Sequence, residues 1–525
     1  MVALLAVLCG LNVLSARHKT VTYDEPKHFR YGLQILRGDA ARFDDSKMPF
    51  SALNVLPCHI STALEPGAWK DWLGDPRNGR LVTMFFSVLL GVLVCGWARA
   101  LYGHRAGLFA LFLYVFSPNL LAHSRWITTD LYAAFTITLA LFSFWRFLDR
   151  GGARRAVLAG AALGLAQLSK HTAILLYPLL LLIAVVRYAP HVTGALKQRQ
   201  VRALARMGAG CLKWGALILL VSLVVINAGY LFHGTGAPLD AYTFRSDLFR
   251  ELQSRVGFLG GIALPVPRPF LEGLDWTRDN DVTGKGRGPS YLLGETRRGR
   301  FDGYYLVVLL YKIPIPVSLL VGLALVRYVR RRRTFRFSRD EVCLILPAAF
   351  FVTYLNFFSS AQLGIRHLLM VLPLLHVLCG SLLRDGTAVG RRLRWAIGML
   401  ACYLVVSVMS YYPHFLSYFN ELVLDRKMAY RVLADSNLDW GQNEKYAFEY
   451  VRRHPGTHLN PKIPFPGRAL ISANILLGIE KPAEYPHNWW LRQNLQPVAH
   501  VAYSYLVVVI PPEAVHEILK ARSGQ

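Results

Sequence analysis

Residues 20–29 read "TVTYDEPKHF", two carboxylates and two basic side chains set directly behind the apolar run "MVALLAVLCGLNVLSA" of residues 1–16. That run has no basic start and no obvious cleavage site, so it is expected to be a first transmembrane helix rather than a removed signal peptide. Asp24, Glu25, Lys27 and His28 then stand where the chain leaves the lipid. One reading makes Asp24 the N-cap and Glu25 the first-turn acid of a helix beginning near Pro26. The other makes them the start of a functional site. The rest of the chain bears on which applies.

The 525 residues are 54% hydrophobic and 17% charged, with a mean hydropathy of +0.32, which describes a multispanning membrane protein. The net charge of +27 sits largely in short links between apolar runs, and no nucleic-acid-binding motif accompanies it, so no nucleic-acid partner is expected. The seven cysteines show neither pairing nor metal-ligand spacing, and only Cys58 falls in an expected loop. Neither a disulfide framework nor a cysteine zinc site is expected.

Apolar segments recur at 2–16, 81–101, 106–122, 127–147, 155–169, 172–188, 208–231, 304–326, 341–358, 367–383 and 395–411. They predict an α-helical polytopic membrane protein of about eleven transmembrane helices, with the segment 106–122 breaking early at Ser117-Pro118-Asn119. With the N-terminus in the cytoplasm, the inner links hold twenty-two Lys and Arg. The short outer links hold three: Arg125, Lys170 and Arg366. That asymmetry sets the expected orientation in the cell (inner) membrane. Segments 17–80, 232–303 and 412–525 then face outward. Residues 1–411 are expected to form the transmembrane domain, and 412–525 a small extracytoplasmic α/β domain. In that tail, "DSNLDWGQNEKYAFEYVRRHPG" reads as a helix, "ALISANILLG" and "AHVAYSYLVVVI" as strands, and "PPEAVHEILKAR" as a last helix.

The outer rim gathers an unusual set. Lys47 lies downstream of Asp24, Glu25, Lys27 and His28 in the first outer segment. "AHSRWITTDLYAAF" supplies His123, Arg125 and Asp130; "LSKHTAILL" supplies Lys170 and His171; "LGIRHLLMVLP" supplies Arg366 and His367. A carboxylate at the lip of a membrane helix, as at Asp130, is costly unless paired or used. Fixed cations at this depth would hold the anionic head of a phosphate-bearing lipid, and a nearby carboxylate would accept a proton from an attacking hydroxyl or amine. The competing readings are plain: rim Arg and Lys snorkel to headgroups, and Asp130 caps its helix. Lys312, inside "YYLVVLLYKIPIPVSLL", either follows an interfacial stretch or points into the bundle; Tyr304 and Tyr305 are belt residues or headgroup contacts. "DSNLDWGQ" reads either as a lid or as a helix cap, with Trp440 packing the tail on the membrane part.

In order and motif the chain resembles the GT-C superfamily of polyprenyl-phosphate-dependent glycosyltransferases, particularly bacterial relatives of protein O-mannosyltransferases and the lipid A aminoarabinose transferase. "DEPK", continuing as "HFRYGLQILRGD", carries the resemblance most specifically. "SKMP", "WITTDLYAAFTITLALFSFWRF", "GLAQLSKHTAILLYPLLLL" and "GIRHLLMVLPLL" add to it, and "SYFNELVLDRKMAYRVLADSNLDWGQ" resembles the phospholipid carrier-dependent subgroup. The resemblance implies a GT-C fold and an inverting, base-assisted hexosyl- or pentosyltransferase. Its donor would be a polyprenyl-phosphate-linked sugar, its other partners membrane lipids and an acceptor protein or glycolipid. It implies Asp24 as catalytic base, with Asp130 and Glu25 as further acids. Lys27 and Lys47 would hold the donor phosphate, joined by Arg366, Lys170, Tyr304, His28 and Arg125. No metal or other cofactor is expected, although Asp24 and Glu25 are chemically able to ligate a divalent cation. The rival readings are a lipid-linked oligosaccharide ligase or polymerase, a lipid or glycan transporter, and a scaffold that only binds lipid-linked sugars.

Overall fold

The computed structural model describes residues 1–39, 48–284, 288–330, 339–386 and 390–523. Each of the eleven apolar segments is helical. They form α1 (Val2–Arg17), α3 (Gly79–Tyr102), α4 (His104–Val115) with α5 (Pro118–His123), α6 (Asp130–Arg150), α7 (Ala153–Ser169), α8 (Leu176–Lys197) and α9 (Val201–Gly229). α10 (Tyr304–Lys312) with α11 (Ile315–Arg330), α12 (Val342–Phe357), α13 (Val371–Gly380) and α14 (Arg391–Met409) complete the set, while α2 (Glu25–Leu36) lies in the first outer segment.

Among the described residues, five helices are long and apolar enough to cross a membrane, or six if α10 and α11, bent by 110° at Ile313-Pro314, form one span. The chain is a multi-pass membrane protein. Several of the about eleven expected helices are short, as their apolar runs were: α1, α4 and α12, among others, have 16 residues or fewer. Proline explains two of the breaks. Pro118 ends the α4 run and restarts it as α5, and Pro314 separates α10 from α11.

Small residues let the helices approach. Cβ atoms added at Gly160 and Gly164 of α7 would lie 2.6 Å from the Ile218 carbonyl and 2.6 Å from Val225 Cβ of α9. This spacing of small residues brings two helix backbones together where lipid offers no hydrophobic drive. α6 and α7 form an antiparallel hairpin around Gly151 and Gly152, whose φ values of 61° and 94° suit glycine. The out-and-back path returns Lys170, just past α7, to Asp130, the first residue of α6.

The tail departs from expectation in detail. After a hairpin of β1 (Ser290–Leu292) and β2 (Glu295–Arg297) ahead of α10, the tail's β3 (Thr457–Leu459), β4 (Gly467–Ser472), β5 (Ala499–Val501) and β6 (Tyr505–Ile510) form one sheet in the order β3-β4-β6-β5, with only β3–β4 parallel. "ALISANILLG" is half strand: pairing with β6 ends at Ser472, and Ala473–Leu476 turns helical. "AHVAYSYLVVVI" is two strands, because Ala502 and Tyr503 take φ of 51° and 65° and reverse the chain. The expected helices are present as Glu444–Arg453 and Pro512–Ser523.

Candidate active site

Asp24 occupies the N-cap position of α2, yet its carboxylate makes no capping bond. It turns instead to Arg366, whose Nη1 donates to Asp24 Oδ2 at 3.0 Å. The same Nη1 stands 3.9 Å from Asp130 Oδ2, and Lys170 Nζ donates to Asp130 Oδ1 at 2.6 Å. Four residues from four separate segments thus form one alternating row: Asp24, Arg366, Asp130, Lys170. The N-terminal end of α6 further favours the Asp130 carboxylate. Asp24 is the accessible acid, its side chain 31% exposed against 6% for Asp130.

Burial alone would raise the Asp24 carboxyl, but the Arg366 charge and hydrogen bond outweigh it and hold it below the usual carboxylate range. The tail's own acids go the other way. Burial raises Asp435, and it pushes Asp439 up to about 6 although Ser472 and Gly441 donate to it.

Arg366 is held from the tail side. Its guanidinium lies over the Trp440 ring at 4.5 Å, and its Nε donates to Leu363 O at 3.1 Å. Gly364, at φ 87°, lets the backbone pass Asn437, whose side chain a Cβ there would meet at 2.9 Å. Asn437 Oδ1 accepts from Ile365 N at 3.0 Å, and its Nδ2 donates to Tyr304 Oη at 3.1 Å. Lys312 is fully buried and donates to the carbonyls of Asn437 and Leu416 at 2.6 and 2.8 Å. Of its two expected placements, the inward one is observed.

The other named residues divide. Glu25 is buried away from this row. It accepts two bonds from Arg80, at 2.8 and 2.7 Å, and others from the backbone of Thr22 and Ile127. Its lone pairs are occupied, which suits fixing the start of α2 against α3. Lys27 is exposed on the first turn of α2, and His28 Nδ1 lies 2.9 Å from Ser51 Oγ. Lys47 lies outside the described residues. Arg125 is buried between the Trp126 and Phe415 rings, with Nη2 donating to Pro413 O at 3.4 Å. It therefore sits beneath the tail's entry, not in the Asp24 row. Among the described residues no three His, Cys, Asp or Glu side chains gather as a metal would require.

Arg80 was not picked out from the sequence, and Asn437 was read there only as part of a lid or as a helix cap. Arg80 had a signal, a lone cation at the very mouth of the second apolar run; nothing in "DSNLDWGQ" announced that Asn437 would brace the loop of Arg366.

Residues 75–201 match the family model described as dolichyl-phosphate-mannose-protein mannosyltransferase, a stretch that contains Arg80, Asp130 and Lys170. A search of curated proteins returned no match. Among solved structures, the chain is similar to ArnT from Cupriavidus metallidurans bound to undecaprenyl phosphate, at 15% identity and TM-score 0.46 over 97% of each chain. It is also similar to the oligosaccharyltransferase AglB from Archaeoglobus fulgidus, in complex with an inhibitory peptide and a dolichol-phosphate. There identity is 17% and TM-score 0.44, over 86% of this chain and 60% of that one. The family match agrees with the resemblance drawn from the motifs.

Proposed function

We propose that this chain is a GT-C glycosyltransferase that moves a sugar from a polyprenyl-phosphate carrier to an acceptor outside the cytoplasm, with inversion. The observation that carries the reading is the Asp24–Arg366–Asp130–Lys170 row, which sets one accessible carboxylate beside fixed cations at one end of the membrane helices. The match of residues 75–201 to the mannosyltransferase family supports the same chemistry. The charge asymmetry of the short links supports a reading in which this end lies outside the inner membrane, with the N-terminus in the cytoplasm.

In this reading the donor enters from the lipid, and its phosphate draws on Arg366, Lys170 and the exposed Lys27. An acceptor O–H or N–H attacks the anomeric carbon as the bond from that carbon to the phosphate oxygen breaks. The proton passes to Asp24, and the electron pair leaves with the polyprenyl phosphate. Asp24 is a poor base while Arg366 neutralises it. When the phosphate takes Arg366 as its partner, burial is left to raise the Asp24 carboxyl, so the donor's arrival prepares the base. Negative charge on the leaving phosphate grows along the reaction, and cations aimed at it bind the transition state better than the ground state. Asp130 keeps Lys170 and Arg366 in register. Arg366, shared by both carboxylates, supports a reading in which fixed cations, without a divalent ion, carry the phosphate charge.

The test is transfer by purified protein in detergent from a labelled polyprenyl-phosphate sugar to an envelope extract. Wild type is expected to label a protein or glycolipid and release polyprenyl phosphate, with Asp24→Asn roughly 10²–10⁴-fold slower. Near-normal transfer by Asp24→Asn would remove the proton-accepting role. Movement of labelled lipid across a vesicle wall without covalent product would favour a transporter instead.

A further inference from the structure

The hairpin of α6 and α7 has a second end, opposite the Asp24 row. α6 has 21 residues, so Arg146, four from its end, lies about 24 Å along the helix from Asp130. Between the two helices at that end is a cavity of about 420 Å³ lined by Phe142, Ser143, Arg146, Arg154, Arg155 and Leu158. It holds three guanidinium groups and no carboxylate.

Their bonds leave the charge available. Arg155 Nη1 donates to the Gly151 carbonyl at 2.9 Å, and Arg146 lies 6.0 Å from the Trp145 ring. None of the three forms an ion pair among the described residues. Arg154 and Arg155 also stand in the first turn of α7, whose N-cap Gly152 has no capping side chain. Cations there oppose the helix dipole, a cost that a bound anion would reverse.

The adjacent cavity, of about 390 Å³, shares Arg146 but contains Asp149 and Asp340. Asp149 is paired with Arg339 and Arg150, and Asp340 accepts from Trp145 Nε1 at 3.0 Å, so that cavity already holds carboxylates of its own beside its arginines. The arginine cavity does not.

Its walls identify the ligand. Phe142 and Leu158 line it, and Val157 and Leu158 present exposed apolar side chains on α7. A free phosphate would use the guanidinium groups and leave this apolar wall bare. A lipid would use both. We infer that this cavity binds the phosphate of an anionic phospholipid, its acyl chains lying along the outer face of α7, on the membrane face opposite the sugar-transfer site. Basic pockets between transmembrane helices suit such headgroups.

Native mass spectrometry of the full chain, titrated with phosphatidylglycerol, phosphatidylethanolamine and inorganic phosphate, tests this without any transfer reaction. Wild type is expected to retain phosphatidylglycerol over phosphatidylethanolamine. Arg154→Gln should weaken retention about fivefold, and the triple Arg146→Gln, Arg154→Gln, Arg155→Gln about 100-fold, at roughly one kcal/mol per basic group. Arg99→Gln, in the neighbouring cavity, should leave retention unchanged. Should the triple variant fail to fold, exposed Arg154 alone carries the test. Equal retention by Arg154→Gln and wild type, no headgroup preference, or displacement by equimolar inorganic phosphate would each overturn the proposal.

Discussion

Asp24 and Glu25 are neighbours in the chain, and their surroundings give them different work. Glu25 faces inward to Arg80, with both side chains nearly excluded from solvent. Removing one partner of such a pair strands a buried charge, so Glu25→Gln should cost about 3–5 kcal/mol of stability. A thermal melt of the purified variant checks this, and an unchanged midpoint would contradict it. Asp24 faces Arg366 and stays ionised below the ordinary carboxylate range in the free protein. A base must be deprotonated, so activity falls as pH drops through its pKa. The acid limb of kcat/KM, which reports free enzyme, is therefore expected below the ordinary carboxylate range. If donor phosphate takes Arg366 from Asp24, the limb of kcat moves to higher pH. Coincident limbs would mean that the donor leaves the Asp24–Arg366 pair intact. The resemblance gave Asp24 the base's role, but the residues alone did not separate the two acids, because the distinction rests on Arg80, 55 positions away, and on Arg366, 342 positions away.

At the scale of elements, what the sequence made legible was what depends on local patterning. Apolar runs became helices, and Pro118 and Pro314 broke them where proline lacks its N–H. Less legible were the strands of the tail. Ala502 and Tyr503 reverse the chain with positive φ, a conformation no turn residue there announced. Helix pairing was also hidden, although "GAALG" at residues 160–164 carries its trace. Gly164 of α7 faces α9 so closely that an added Cβ would meet Val225 Cβ at 2.6 Å and Ser222 O at 2.8 Å. Gly164→Leu should therefore force the helices apart at about 1–3 kcal/mol or more. Gly398→Leu on α14, where a Cβ meets nothing within 4 Å, should leave the melting midpoint nearly unchanged. Similar midpoints for the two variants would argue that the α7–α9 contact is dispensable. Since α7 delivers Lys170 to Asp130, Gly164→Leu should lower transfer as well.

The whole molecule is joined at Arg366. The membrane part supplies its backbone and both carboxylate partners, while the tail supplies Trp440 over its face and Asn437 beneath its loop. Lys312 adds a buried tie, donating to carbonyls at Leu416 and Asn437. A ligand that engages Arg366 should therefore stabilise both parts together. Polyprenyl phosphate, the product of the proposed reaction, provides the probe. At 100 times its dissociation constant it should add about 2.7 kcal/mol to the stability of wild type, read as a rise in melting midpoint. Asp24→Asn should keep that rise, or enlarge it, because the variant removes one of the two carboxylates that compete for Arg366. Arg366→Gln should lose most of it relative to its own ligand-free midpoint, whatever its starting stability. A full rise in Arg366→Gln would place the lipid phosphate elsewhere, on Lys27 and its neighbours. The row of alternating charges would then be a brace between membrane and tail rather than the donor's seat.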